Sequence, residues 1–125
     1  NREIATAIMK EIGLEVDTAE DGTDAVNIMS SAEGRKYDLI FMDAAKGQYI
    51  HWLPDILRLL STGGVLFSDN VLQDGDIIES RFAVERRNRT IHARMREYLY
   101  TLTHMPEFQT SVVPIGDGVA LSVKR

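Results

Sequence analysis

Two apolar runs in this chain, Tyr37–Met42 and residues 65–67, are nearly continuous, the pattern of strands covered on both faces. Each closes on oxygen-bearing residues: Asp43 after the first, and Ser68, Asp69 and Asn70 after the second. Around them the period is helical. Ile4, Ile8 and Ile12 recur behind Asn1, a capping residue type, and Gly13 offers a left-handed stop, so the spacing predicts a helix over 1–12. Residues 14–19 read as a short strand. Asp21 and Gly22 then make a turn, and Ala25, Val26 and Met29 mark a second helix ending near residues 33–34. A third helix over 49–60 carries the stripe Trp52, Leu53, Ile56, Leu57 and Leu60, and Gly63 with Gly64 breaks it. Beyond a polar loop at 71–82, a long helix is expected from about residue 84 to 103, with Ile91, Met95, Leu99 and Leu102 inward. The last stretch changes period: "QTSVVP" and "VALSVK" flank "IGDG", the signature of an antiparallel hairpin.

Helices alternating with buried strands, followed by a hairpin, predict a single α/β domain over 1–125. The expected architecture is a three-layer sandwich around a mostly parallel sheet with a C-terminal antiparallel hairpin. Its strand order should be 14–19, 37–42, 64–68, 119–123 and 108–114, with the first two paired directly through a right-handed crossover. In such sheets ligands bind at the carboxyl ends of the parallel strands.

Composition narrows the chemistry. With 44% apolar and 26% charged residues and no long apolar run, the chain should be soluble, cytoplasmic, and free of a membrane span or secretory leader. It opens at Asn1 directly on helical periodicity, which suggests that sequence has been removed upstream. The absence of cysteine excludes disulfides and thiolate metal sites, leaving oxygen or imidazole ligands. A net charge of -5 argues against a general nucleic-acid surface, and the basic run Arg81, Arg86, Arg87, Arg89, Arg94 and Arg96 fits the solvated face of a long helix. His51, His92 and His104 are scattered on helices and are expected at the surface. Met29, Met42, Met95, Tyr37, Phe41, Trp52 and Phe67 are expected in the core. Exposed sheet edges favour a homodimer.

If the strands ending at Asp43 and at Asp69 are parallel neighbours, their tips lie about 5 Å apart. Asp43, Asp69 and Asn70 then offer three oxygen-donor side chains to one point, a seat suited to Mg²⁺ or Ca²⁺. Lys46, three residues past Asp43, could act as a base if desolvation and a nearby cation lowered its pKa.

"YDLIFMDAAKGQY", "GGVLFSDNVL", "RTIHARMREYL" and "TSVVPIGDGVALSVKR" together resemble the C-terminal half of the cation-dependent, S-adenosylmethionine-using O-methyltransferases, the catechol, caffeoyl-CoA and bacterial tRNA-modifying group. The likeness covers residues 37–125. It implies that Asp43, Asp69 and Asn70 hold the divalent cation, and that Lys46 lies beside the acceptor hydroxyl as the base. Through the bacterial branch of that family, tRNA enters as a partner. The family's cofactor-binding glycine-rich turn has no counterpart in residues 1–36, so no cofactor-binding residue is assigned. Methyl transfer is expected to be absent or impaired.

The first third, "NREIATAIMKEIGLEVDTAEDGTDAV" followed by "YDLIFMD", resembles the opening of a response-regulator receiver domain, a flavodoxin-like fold. That resemblance implies a phosphoryl-accepting role for Asp43, with Ser68 the nearest counterpart of the phosphate-contacting hydroxyl. The two likenesses together predict an engineered chimera, receiver-like over 1–36 and methyltransferase-like over 37–125. The alternative function is a signalling domain phosphorylated on Asp43.

Overall fold

The computed structural model describes residues 2–19, 24, 25, 27, 28, 36–43, 48–69, 71, 72 and 89–125. They fall in two compact units, residues 1–33 and 34–125.

In the first unit, α1 (Arg2–Glu11) ends as its sequence requires. Gly13 turns left-handed at φ 95°, its amide donates to Lys10 O at 3.0 Å, and the Leu14 amide donates to Met9 O at 3.0 Å. This paired return of amides onto the last turn satisfies carbonyls the helix leaves open. Residues 14–19 form no strand, contrary to expectation. A strand is held by its ladder rather than by propensity, and "LEVDTA" alternates too weakly, with acids at Glu15 and Asp17, to specify one alone. Residues 24, 25, 27 and 28 are helical, as the second predicted helix requires; the rest of that helix lies outside the described residues.

The second unit runs β1 (Tyr37–Met42), α2 (Tyr49–Leu59), β2 (Leu60–Asp69), α3 (Arg89–His104), β3 (Phe108–Val113) and β4 (Val119–Lys124). Its sheet has the order β1-β2-β4-β3. β1 and β2 are parallel, and β4 pairs antiparallel with both β2 and β3, so three strands run one way and β4 alone is reversed. This is the expected mixed α/β sheet with its terminal hairpin. The expected neighbour of β1 is not formed, which leaves β1 as an end strand among the described residues.

α2 passes into β2 without a loop. Lysine ammonium groups satisfy the carbonyls exposed at this junction: Lys124 Nζ donates to Leu57 O and Leu60 O, both at 2.7 Å, and Lys36 Nζ to Arg58 O. Gly63 and Gly64 therefore sit inside a strand instead of ending a helix. Gly63 has φ 83°, and a Cβ on Gly64 would lie 2.7 Å from Ser61 O, so the pair absorbs the irregularity between the partners Tyr37↔Leu60 and Leu39↔Val65.

Both helices cover one face of the sheet. Met42, Leu66 and Ala120 meet Tyr49, Leu53 and Ile56 of α2 and Met95, Tyr98 and Leu102 of α3 in a single buried cluster. α3 is rotated from its predicted stripe: Tyr98 is fully buried and Leu99 only half-buried. His92 is also buried, at 2% exposure, which corrects its expected surface placement; His51 and His104 are exposed. The predicted start of this helix, 84–88, lies outside the described residues.

Candidate functional site

The register places the two candidate carboxylates. Met42 of β1 pairs with Ser68 of β2, so Asp43 follows one strand and Asp69 ends the other at the same edge of the sheet. Parallel neighbours stand about 4.8 Å apart, which makes the two tips adjacent. Strand alternation puts Asp43 on the side of Phe41 and Asp69 on the side of Phe67. Those two rings are register partners and stack at 5.1 Å between centroids, 27° apart in plane. Asp43 is exposed and Asp69 half-buried. Lys46 and Asn70, the other proposed members, lie outside the described residues.

Beneath the tips is a buried aromatic floor that sequence reading did not anticipate. Tyr49, the first residue of α2, is fully buried; its hydroxyl donates to Asp69 O at 3.0 Å and lies 3.4 Å from Met42 O. Its ring meets Tyr98 edge-on, at 5.4 Å and 76°. The Tyr98 hydroxyl in turn bonds Ser68 Oγ at 2.6 Å, and both residues are fully buried. Burial pushes the Tyr98 phenol well above its ordinary ionisation range, against the opposing effect of the Ser68 hydrogen bond and with a smaller upward push from Tyr49. The phenol therefore stays neutral. One signal for this floor was available: "DLIFMDAAKGQY" ends on a tyrosine that opens the next helix.

α3 joins β3 through residues 105–107 and runs back along it, so its N-terminal end points toward the tips of β1 and β2. His92 stands six residues before Tyr98, about 9 Å further in that direction at the helical rise. Its buried Nε2 has no hydrogen-bond partner among the described residues.

Two aspartates on neighbouring tips are hard oxygen donors, the donor chemistry that Mg²⁺ and Ca²⁺ take, so the residues present fit such a cation. Among the described residues no group of three or more His, Cys, Asp or Glu side chains is placed to hold a metal ion; an amide from Asn70 would be the third donor of the expected set.

Comparison with known proteins extends the likeness over the whole chain. The family described as O-methyltransferase matches residues 2–125. Tapetum-specific methyltransferase 1 of Arabidopsis thaliana is 29% identical over 101 residues, covering 81% of this chain and 43% of that protein. Caffeoyl-CoA O-methyltransferase of Citrus natsudaidai is 33% identical over 87 residues, covering 69% and 38%. A Staphylococcus aureus crystal structure provisionally named a caffeoyl-CoA O-methyltransferase superposes with a TM-score of 0.72 at 25% identity, covering 98% of this chain and 59% of that one. The SAH-bound methyltransferase of Podospora anserina has the same fold, with a TM-score of 0.66 at 24% identity over 99% and 57% of the two chains. The chain thus spans less than half the length of these two curated relatives. Because the family match begins at residue 2, it runs through the first third, and nothing in the comparisons supports a receiver-like origin for residues 1–36.

Proposed function

The chain belongs to the O-methyltransferase family, and from that premise we propose that residues 37–125 carry the cation-binding and methyl-acceptor half of the site, with S-adenosylmethionine as methyl donor. One observation carries the reading: β1 and β2 are parallel neighbours whose tips present Asp43 and Asp69 side by side.

In this reading Asp43, Asp69 and Asn70 hold Mg²⁺ or Ca²⁺. Bound there, the cation would acidify an acceptor hydroxyl and screen the charge of its oxyanion. Lys46 would take the hydroxyl proton on Nζ, and S-adenosylmethionine would supply the methyl group to the acceptor oxygen from its sulfonium, leaving as the neutral thioether. The acceptor class is a phenolic hydroxyl, supported by the caffeoyl-CoA O-methyltransferases among the relatives; a nucleotide hydroxyl of tRNA is the other acceptor the loop at 71–82 would admit. By themselves residues 1–125 bind the cofactor weakly or not at all, since residues 1–36 contain no glycine-rich turn to cradle it. No helix among the described residues is long and apolar enough to cross a membrane; a cytoplasmic homodimer completes the proposal.

Titration with Mn²⁺ followed by electron paramagnetic resonance tests the cation site. Asp43→Ala and Asp69→Ala should each weaken binding at least about tenfold, and affinity unchanged in both would overturn the assignment. Calorimetry with S-adenosylmethionine should give no heat at millimolar cofactor; saturable heat would refute the impaired-cofactor reading. The alternative signalling reading, with Asp43 as a phosphoryl acceptor, would return only if acetyl phosphate and Mg²⁺ gave a mass adduct that Asp43→Asn abolished.

A further inference from the structure

We propose that Tyr49 is a positioning residue for the cation site: its hydroxyl ties the tip of β1 to the tip of β2 and thereby sets the spacing of Asp43 and Asp69. The inference rests on the cation reading above and adds to it a residue that no motif assigned.

The two oxygens beside the Tyr49 hydroxyl are particular ones. Met42 O, at 3.4 Å, belongs to the peptide that leads into Asp43, and Asp69 O, at 3.0 Å, belongs to the peptide that leads into Asn70. A peptide unit is planar, so fixing its carbonyl fixes the direction in which the next Cα leaves. One phenol has one proton, and the shorter distance gives its main bond to Asp69 O, with Met42 O as the weaker branch of a shared contact. A single buried atom therefore touches the backbone of both strand tips, at the carbonyl just ahead of Asp43 and at the carbonyl of Asp69 itself.

The hydroxyl is itself held. Tyr49 is fully buried, and its ring edge rests on Tyr98, whose own hydroxyl bonds Ser68 Oγ at 2.6 Å. Ser68 directly precedes Asp69, so the contacts close a ring: Asp69 carbonyl, Tyr49, Tyr98, Ser68, and back along the chain. β2 is gripped at two successive residues and β1 at one. A core that needed only apolar volume at position 49 would be served by phenylalanine, because a fully buried hydroxyl has to find partners of its own.

Tyr49→Phe separates these roles, since it keeps the ring and removes the oxygen. Thr110→Val is the control: Thr110 Oγ1 donates to Leu102 O at 3.1 Å and Ser122 Oγ at 2.9 Å, away from the tips. In Mn²⁺ titrations Tyr49→Phe should weaken affinity about tenfold or more, while Thr110→Val leaves it within about twofold at a comparable metal-free Tm. Wild-type affinity in Tyr49→Phe, or parallel losses in both variants, would overturn the proposal. A wild-type protein that binds no Mn²⁺ would refute the cation reading and leave the tie to be judged by amide hydrogen exchange. Exchange at Asp43 and Asn70 accelerated about tenfold in Tyr49→Phe, with β3 and β4 unchanged, would then uphold it, and unchanged exchange would end it.

Discussion

The two faces of the sheet differ in burial, and in the direction opposite to their polarity. On one, Met42, Leu66, Ser68, Ala120 and Ser122 are buried under α2 and α3, and even the polar members have partners. On the other, alternation places Leu39, Phe41, Val65, Phe67, Leu121 and Val123, an apolar set from three strands of which none is fully buried. Leu66 is 0% exposed, and Phe41, its near neighbour across the ladder, is 57% exposed. The same side of the alternation carries Asp43 and Asp69 at the tips. Stability thus resides on one face and candidate chemistry on the other. The aromatic floor of Tyr49 and Tyr98 is where the covered face reaches the tips.

The largest expected effect tests the covered face. Leu66→Ala should cost about 2–5 kcal/mol, the range for deleting a fully buried leucine whose surroundings cannot collapse. Urea unfolding measures it, and a loss under about 1 kcal/mol would erase the distinction between the faces.

Tyr98→Phe should come next, at about 1–3 kcal/mol, because it leaves the Ser68 hydroxyl buried without its 2.6 Å partner. A pH series sharpens the result. Burial raises the folded-state pKa of Tyr98 above its ordinary 10.0, so its contribution is fully present below pH 10, where the unfolded phenol is protonated too. As pH rises further the unfolded chain ionises first, and stability is lost. Wild type should therefore lose stability above about pH 10 more steeply than Tyr98→Phe. Equal slopes would mean that Tyr98 is open to water in solution.

How far the sequence foretold this arrangement follows from what each signal measures. Near-continuous apolar runs located β1 and the core of β2, and the period change at "IGDG" located the β3–β4 hairpin. The expected adjacency of those strands holds, so the neighbouring positions of Asp43 and Asp69 at the two tips were legible in the sequence. Residues 14–19 were misread because helix, turn and short strand at this spacing are grammar common to many α/β folds, and the same generic spacing produced the receiver likeness. Tyr98 escaped because an apolar stripe cannot reveal a polar side chain whose burial depends on a partner from elsewhere in the fold, and His92 because a polar residue type on a helix reads as exposed. Lys46 and Asn70 lie outside the described residues, so their placement rests on the resemblance alone.

The smallest expected effect tests the open face and the proposed homodimer together. Phe41 stacks on Phe67 but is more than half exposed, so Phe41→Ala should cost only about 0.5–1.5 kcal/mol, the worth of an aromatic pair beyond the little area it hides. That holds for a lone protomer. If a second copy seats on this face, Phe41 becomes a core residue of the dimer, and its loss should cost about 3–5 kcal/mol, like other buried phenylalanines. The cost would then depend on protein concentration, because association stabilises by mass action. Sedimentation of wild type and Phe41→Asp distinguishes the cases: a dimer that dissociates in the variant places the partner on this face. A monomer in both, with a small and concentration-independent cost for Phe41→Ala, excludes self-association there and keeps the contrast between the faces as drawn.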